Sequence, residues 1–380
     1  MASWTQVLRQ YGDEFLSWTQ QHSVLETKGK LLAEAVRLML FQEVNTPEEA
    51  RAVWAATPAI LSRCNEQSTY ELPFAPIAYI WLHFLDRYAR TWRALEVLVQ
   101  QQCLPLAKYG VRTLDVGTGP GPSAFAVHDF YHALNRYFEE NGILEFTKPP
   151  ELYCVEYSNS MNHYRHNLAE LVFKVTGQAS QTTIFDLTRA MRDFKSFHPT
   201  QERAARFQAL RNQEDHYYSE TTDMMESELI YTANEAHQIA QSLHRYRLFI
   251  FSNFLTTVGS VKEFEENLKD LLNDANAGSV ILVLGGAGGE YPEIYDYVDK
   301  LNKSAGFNKR IDNQTVSSSE TTISNLVYEE ARQFYEYLQS LALNKDQHLD
   351  MIHKHFSRKR TSAPKTNVRA YRKDGRKHRR

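Results

Sequence analysis

A doubly wound, mostly parallel α/β sheet behind an all-helical N-terminal segment is the fold class the sequence predicts, and three observations carry it. A glycine-rich turn follows a short apolar run between Val111 and Gly121. Further apolar runs at 152–156, 182–187, 246–251 and 279–284 each precede a helical or glycine-rich pattern. The first hundred residues, by contrast, keep apolar spacing of helical period with no alternating run.

The helical segment, 1–108, shows that spacing over 4–20, 31–41, 47–55 and 77–101. Thr46-Pro47-Glu48-Glu49 places a proline and two acids where the first turn of a helix favours them. Whether this segment is there to cover a pocket, to build a substrate site or to make a dimer is not fixed by the sequence. The aromatic-rich stretch from Tyr70 to Trp92 offers rings to a pocket or to the core.

In the next element Val111, Leu114 and Val116 read as a short buried strand. Gly117, Gly119 and Gly121 then let the backbone double back and let a ligand approach the main chain without meeting a Cβ. A helix expected near Ser123 turns its unpaired N–H groups and positive dipole end toward that turn, which favours an anionic group.

Asp115 through Gly121 follow the pattern Asp/Glu-x-Gly-x-Gly-x-Gly. Here the chain resembles the class I, Rossmann-like S-adenosylmethionine (SAM) dependent methyltransferases, over about Tyr109 to Leu301. The resemblance implies SAM as cofactor, with the glycine turn (Asp115, Gly117, Thr118, Gly119, Gly121) under its methionine part. A dinucleotide site would instead show Gly-x-Gly-x-x-Gly with an acid about 20 positions on. The strand-borne acid here, Glu156, stands 35 residues after Gly121, so the dinucleotide reading loses on both counts.

Leu152 to Glu156 is an apolar strand ending in a carboxylate, with a helix expected from Ser158 or Ser160. An acid at the carboxyl end of such a strand lies at the ligand crevice, where its oxygens can accept both ribose hydroxyl protons. Glu156 matches the family's ribose-binding position, with Tyr157 beside it; the plainer reading is a capping or salt-bridging acid. Thr182 to Leu187 reads as a third strand, Asp186 and Leu187 falling where the resemblance implies contacts near the adenine, although Asp186 could equally cap a helix from Thr188. Tyr246 to Phe251 is a continuous apolar strand, as expected for a parallel strand buried on both faces, and it runs into Ser252 and Asn253 at the crevice. A helix over 260–273, Gly278 and a strand at 279–284 complete the succession. Gly285 to Glu290 lacks the Gly-Lys-Ser/Thr ending of a phosphate cradle and is expected to turn beside the substrate cleft.

The core domain is thus expected over 109–345, with a helical insertion at 188–245. The last segment, 346–380, reads as a basic tail. From His353 onward there are 12 Lys/Arg against one Asp, which leaves about −14 on the chain before it. That asymmetry suggests phosphate contact, and the run Arg369, Tyr371, Arg372 interleaves a ring with cations in a way that suits stacking on unpaired bases. RNA is the partner this suggests; the bland reading is a solvated tail drawn to the acidic body.

With 380 residues and 42% hydrophobic content the chain can bury a large core. Cys64, Cys103 and Cys154 are too scattered for a disulfide framework or metal pair, and His348, His353 and His355 lack the companions that would complete a metal site, so no metal is assigned. No run is long enough to span a bilayer and no signal pattern opens the chain, so a cytoplasmic protein is expected.

Catalysis is less legible. Ser252-Asn253-Phe254-Leu255 departs from the Asn/Asp-Pro-Pro-Tyr pattern of many amino-methylating nucleic-acid enzymes, and no Pro-Cys turn marks a cytosine C5 nucleophile. Asn253, His128 and His163 could orient an acceptor or take a proton, but none is assigned a catalytic role. The expectation is therefore a SAM-dependent methyltransferase acting on RNA or a ribonucleoprotein. A small-molecule or protein acceptor and a non-catalytic SAM-binding subunit remain as alternatives.

Overall fold

A computed structural model describes residues 4–62, 67–108, 110–156, 158–176, 187–189, 245–252, 254, 258–286, 291–317, 321–342 and 365–374. Four long helices come first: α1 (Trp4–Gln21), α2 (Val24–Glu43), α3 (Pro47–Ser62) and α4 (Ala75–Gln100), with a 3₁₀ turn at Gln67–Glu71 before α4. The acids of the Thr46-Pro47-Glu48-Glu49 start act as expected, since the Glu49 carboxylate accepts from the N–H groups of Asn45 and Thr46.

The sheet follows: β1 (Arg112–Val116), α5 (Pro122–Glu140), β2 (Glu151–Val155), α6 (Asn159–Thr176), β3 (Leu187–Arg189) and β4 (Leu248–Ser252). After β4 come α7 (Val258–Glu263), α8 (Glu265–Asp274), β5 (Val280–Gly286), α9 (Tyr291–Ser304), β6 (Phe307–Ser317), α10 (Thr321–Ala342) and β7 (Lys365–Lys373). The strand order is β3-β2-β1-β4-β5-β7-β6. Strands β1 to β5 run parallel, and β7 enters antiparallel between β5 and β6. This is the doubly wound, mostly parallel, Rossmann-like α/β fold expected from the sequence.

Alternation along the strands divides the core into two layers. Leu248, Ile250, Leu282, Val368 and Ala370 face α5, α6, α10 and the N-terminal helices. Leu114, Val116, Phe249, Phe251, Val283 and Tyr371 face α7, α8 and α9. The helices before residue 108 therefore share their core with the sheet. The tie is reinforced by α10, from which Ala331 accepts the Trp81 indole N–H at 2.8 Å and Tyr337 donates to the Val44 carbonyl at 2.8 Å.

Three boundaries differ from the sequence reading. Of the strand expected at 182–187 only Leu187 is among the described residues, where β3 at Leu187–Arg189 pairs with Tyr153–Val155, and Asp186 lies outside them. Thr188 and Arg189 belong to that strand, and the rest of the insertion expected at 188–245 lies outside the described residues up to Arg245. Gly285 and Gly286 are ladder residues of β5 opposite Asn367 and Thr366, not part of a turn.

The largest difference is at the basic end. Residues 365–373 of the expected tail at 346–380 form an interior strand, because protein groups absorb their charges. Arg369 lies 4.0 Å over the Tyr295 ring and 3.4 Å from Asp312, while Arg372 covers the Trp4 ring at 4.4 Å. The Lys373 ammonium donates to the carbonyls of Leu272 and Asn273. Tyr371 is 1% exposed and its hydroxyl donates to Asp299. The ring and cations that suggested base stacking are thus committed to the fold, their stems buried and their heads paired. His348, His353 and His355 lie outside the described residues.

Candidate functional site

The winding direction of the sheet reverses between β1 and β4, and in such a sheet ligands bind in the crevice outside the carboxyl ends of the strands at that point. The glycine turn, Glu156 and Ser252 all come from that edge.

The turn closes on β2. The N–H groups of Gly117 and Thr118 both donate to the Val155 carbonyl, at 2.8 and 3.1 Å, and Gly121 N–H returns to the Thr118 carbonyl. Gly117, Gly119 and Gly121 have φ of 69°, 59° and 93°, a left-handed path that side chains rarely follow. Their neighbours also leave little room. A Cβ on Gly117 would stand 2.6 Å from the Phe254 ring, and one on Gly121 would stand 2.9 Å from Cδ of Arg165. Gly119 faces the Tyr79 hydroxyl, 3.9 Å from its would-be Cβ. Gly121 caps α5, which begins at Pro122, one residue before the expected start, and this places the helix N-terminus on the turn.

Glu156 fastens the turn to the start of α6. Its two carboxylate oxygens accept from Gly119 N–H at 2.7 Å and from Ser158 N–H at 2.9 Å. Asp115, at the heart of β1, is 1% exposed. Its Oδ2 accepts from the Thr118 hydroxyl at 2.7 Å, whereas Oδ1 has no hydrogen-bond partner among the described residues. Burial pushes its carboxyl up to about 7, against the opposing pull of the Thr118 hydroxyl and the Arg165 charge, with Glu156 adding a smaller upward push.

The structure thus brings Asp115, Gly117, Thr118, Gly119, Gly121 and Glu156 together. Ser252 ends β4 opposite Leu284, and Leu187 pairs with Tyr153 at the start of β3. Tyr157, Asp186 and Asn253 lie outside the described residues. Neither histidine weighed as a base touches the turn: His128 is buried on α5, roughly 10 Å along the helix from Gly121, against Asp129 at 3.2 Å. His163 is on the exposed side of α6, where it meets Asn167.

Three neighbours of the turn were not singled out from the sequence. Tyr79 comes from α4, within the aromatic stretch, and packs on Tyr70 and His83 with Arg87 over its ring at 4.8 Å. Phe254 stacks between Phe251 and Phe264 beside Gly117. Arg165 sits on the apolar side of α6 with Met161 and Leu168; the helical spacing of an arginine among hydrophobes was the available signal. Beyond Glu156, between the 3₁₀ turn and α6, opens a cleft of about 480 Å³ walled by Tyr70, Phe74, Pro76 and Tyr164, with Ser158 and Glu71 on its rim. Among its lining residues none is a lysine or arginine.

No protein-family model matches the chain, and no curated relative matches it. Solved structures that resemble it include the [4+2]-cyclase SpnF (TM-score 0.36, 12% identity, 74% of this chain and 81% of that one). Another is Haemonchus contortus phosphoethanolamine N-methyltransferase 2 with phosphomonomethylethanolamine and S-adenosylhomocysteine (0.34, 12%, 78% and 60%). A third is an arsenic(III) SAM methyltransferase from Chlamydomonas reinhardtii (0.31, 8%, 72% and 66%). Likeness at this level carries no argument about activity, and the fold assignment rests on the strand order itself.

Proposed function

We propose that this chain is a SAM-dependent methyltransferase with its cofactor at the switch point between β1 and β4. The observation that carries the reading is the Glu156 bridge: an acid at the end of the second strand holds Gly119 of an Asp-x-Gly-x-Gly-x-Gly turn at 2.7 Å. The residues present fit the cofactor. Glu156 offers carboxylate oxygens to ribose hydroxyls, Asp115 keeps one oxygen that has no hydrogen-bond partner among the described residues for a cationic amine, and the α5 N-terminus favours a carboxylate. When bound, SAM supplies an electrophilic methyl group on a sulfonium. The chain's own contribution is alignment and water exclusion, which Tyr79 and Phe254 serve by packing against either flank of the turn.

For the acceptor, RNA or a ribonucleoprotein is retained as a proposal, carried by cations flanking β7, namely Lys354 to Arg360 and Arg376 to Arg380. A small-molecule acceptor is favoured by a separate observation, the aromatic cleft beyond Glu156, whose lining offers no cation to a polyanion. Transfer of labelled methyl from SAM into RNA, protein and metabolite fractions of a lysate, with Gly119→Arg as control, tests all of these. Label in one fraction that disappears in the variant identifies the acceptor class. Tight SAM binding with no label in any fraction favours a non-catalytic subunit.

A further inference from the structure

The cleft beyond Glu156 is joined to the glycine turn on two sides. On one, the N–H of Ser158, a residue of its rim, donates to the Glu156 carboxylate that also holds Gly119 N–H. On the other, Tyr70 of its wall packs edge-on against Tyr79, ring centroids 5.9 Å apart, and the Tyr79 hydroxyl stands 3.9 Å from where a Gly119 Cβ would be. A molecule seated in the cleft is therefore the neighbour of a ligand on the turn. Its volume of about 480 Å³ is that of a small-molecule site.

The walls of the cleft favour positive charge. Tyr70, Phe74 and Tyr164 bring three aromatic rings, groups whose faces attract cations. Phe74 is held there at φ 58°, a left-handed backbone position unusual for a bulky residue and of the kind kept at ligand sites. The carboxylates set about the cleft are Glu71 on its lining, Glu156 behind Ser158, and Glu43, which accepts from the Tyr164 hydroxyl at 3.4 Å. Two cations of the neighbourhood are engaged elsewhere: Arg87 lies over the Tyr79 ring at 4.8 Å, and Arg165 is completely buried with its stem beneath Gly121.

We propose that this cleft seats the methyl acceptor and that the acceptor is a small primary or secondary amine with an apolar body, held by the rings of Tyr70, Phe74 and Tyr164 and by the Glu71 carboxylate. The proposal rests on the SAM reading and deepens its small-molecule branch. The amine reacts as the free base, its ammonium proton having gone to water. Its nitrogen lone pair forms the N–C bond as the C–S bond to the sulfonium breaks, leaving S-adenosylhomocysteine, and the new ammonium gives up its proton to water. Positive charge passes from sulfur to nitrogen in that step, so rings that hold a cation stabilise the charge where it arrives. A phosphorylated or carboxylated acceptor meets the opposite field.

The test uses the full chain and two probes of similar size, benzyltrimethylammonium, which has no lone pair to methylate, and its anionic counterpart phenylmethanesulfonate. By calorimetry, wild type is expected to bind the cation about tenfold or more tightly than the anion. Tyr164→Leu should lower affinity for the cation about fivefold and leave that for SAM unchanged. The cation should also suppress transfer of labelled methyl from SAM into the metabolite fraction of a lysate. Equal binding of the two probes, or preference for the sulfonate, overturns the proposal without any substitution and leaves SAM binding, read on the same preparation, standing. A folded Tyr164→Leu that binds the cation as wild type does overturns it too, and should that variant fail to fold, the wild-type comparison decides alone. Label confined to RNA or protein, or undiminished by the cation, overturns it as well. Failure of wild type to bind SAM is a different outcome, which removes the SAM reading and the acceptor role of the cleft with it.

Discussion

Glu156 reaches across from the end of β2 to accept a hydrogen bond from Gly119 N–H at 2.7 Å, so the turn after the first strand is held by the acid after the second. Glu156→Ala frees two backbone donors and removes the ribose partner at once. We expect SAM affinity to fall about ten- to hundredfold, with a lower melting temperature as well, since each hydrogen bond to a charged group is worth about 1.5–3 kcal/mol. Calorimetry and thermal melts of the same preparation measure both. Unchanged affinity would remove Glu156 from the cofactor site.

The glycines permit a paired prediction. Gly142 has φ of 72° with nothing within 4 Å of a would-be Cβ, so Gly142→Ala should cost only the left-handed backbone penalty of about 1–2 kcal/mol. Gly121→Ala adds collision with the Arg165 stem and should cost roughly 3 kcal/mol or more. Urea unfolding of the two variants decides it, and equal costs would show that Arg165 yields easily.

Asp115 gives stability a pH dependence whose sign follows from its raised folded value. An unfolded aspartate releases its proton near ~3.9. The folded protein holds that proton up to about 7. The stability contributed is present on the acid side of this window and is lost as pH rises through 7. His132, held neutral down to about 4 chiefly by burial, works in the opposite sense from there up to its unfolded value near ~6.5, across most of the same window. It cancels when wild type is compared with Asp115→Asn. In urea unfolding at pH 5 and pH 8, wild type should lose more stability on going to pH 8 than the variant does. Parallel changes would mean that Asp115 is ionised throughout.

The strand at 365–373 sets the limit for truncation. Ending the chain after Asp374 removes Arg376 to Arg380 and should leave the melting temperature nearly unchanged. Ending it at residue 352 takes away β7, strips β5 and β6 of their shared partner, and should abolish cooperative unfolding. Circular dichroism melts separate the two cases. Loss of activity in the longer deletion would therefore not report on RNA binding.

Much of this was legible in the sequence where local chemistry and global fold agree. Apolar run, glycines and helix start fall together at 111–123, and the structure returns β1, the turn and α5 within a residue or two. Glu156 stood out because it ends the second apolar run, and what the structure shows of it is the plainer use weighed for it, a cap on Ser158 N–H at the start of α6, together with the bond to Gly119 that no local pattern announced. The strand β7 was not, because Arg369, Arg372 and Lys373 break the apolar pattern while their charges find partners far away in the chain, on Tyr295, Trp4 and the end of α8. Arg165 was hidden for the converse reason: its neighbours on α6 gave a helix face, and nothing local tells a buried guanidinium from one that reaches water.

The position of β7 also has a consequence in time. It is the last described element to leave the ribosome, yet it belongs between two strands made earlier. Until it arrives, β6 has no neighbour within the sheet and β5 presents a bare parallel-strand edge, the kind of surface on which nascent chains pair with one another. Folding of the sheet is thus completed from its far end, after α10 has already given the N-terminal helices something to pack against. The helices before the sheet can hold most of the molecule together during that interval, while the final strand closes it.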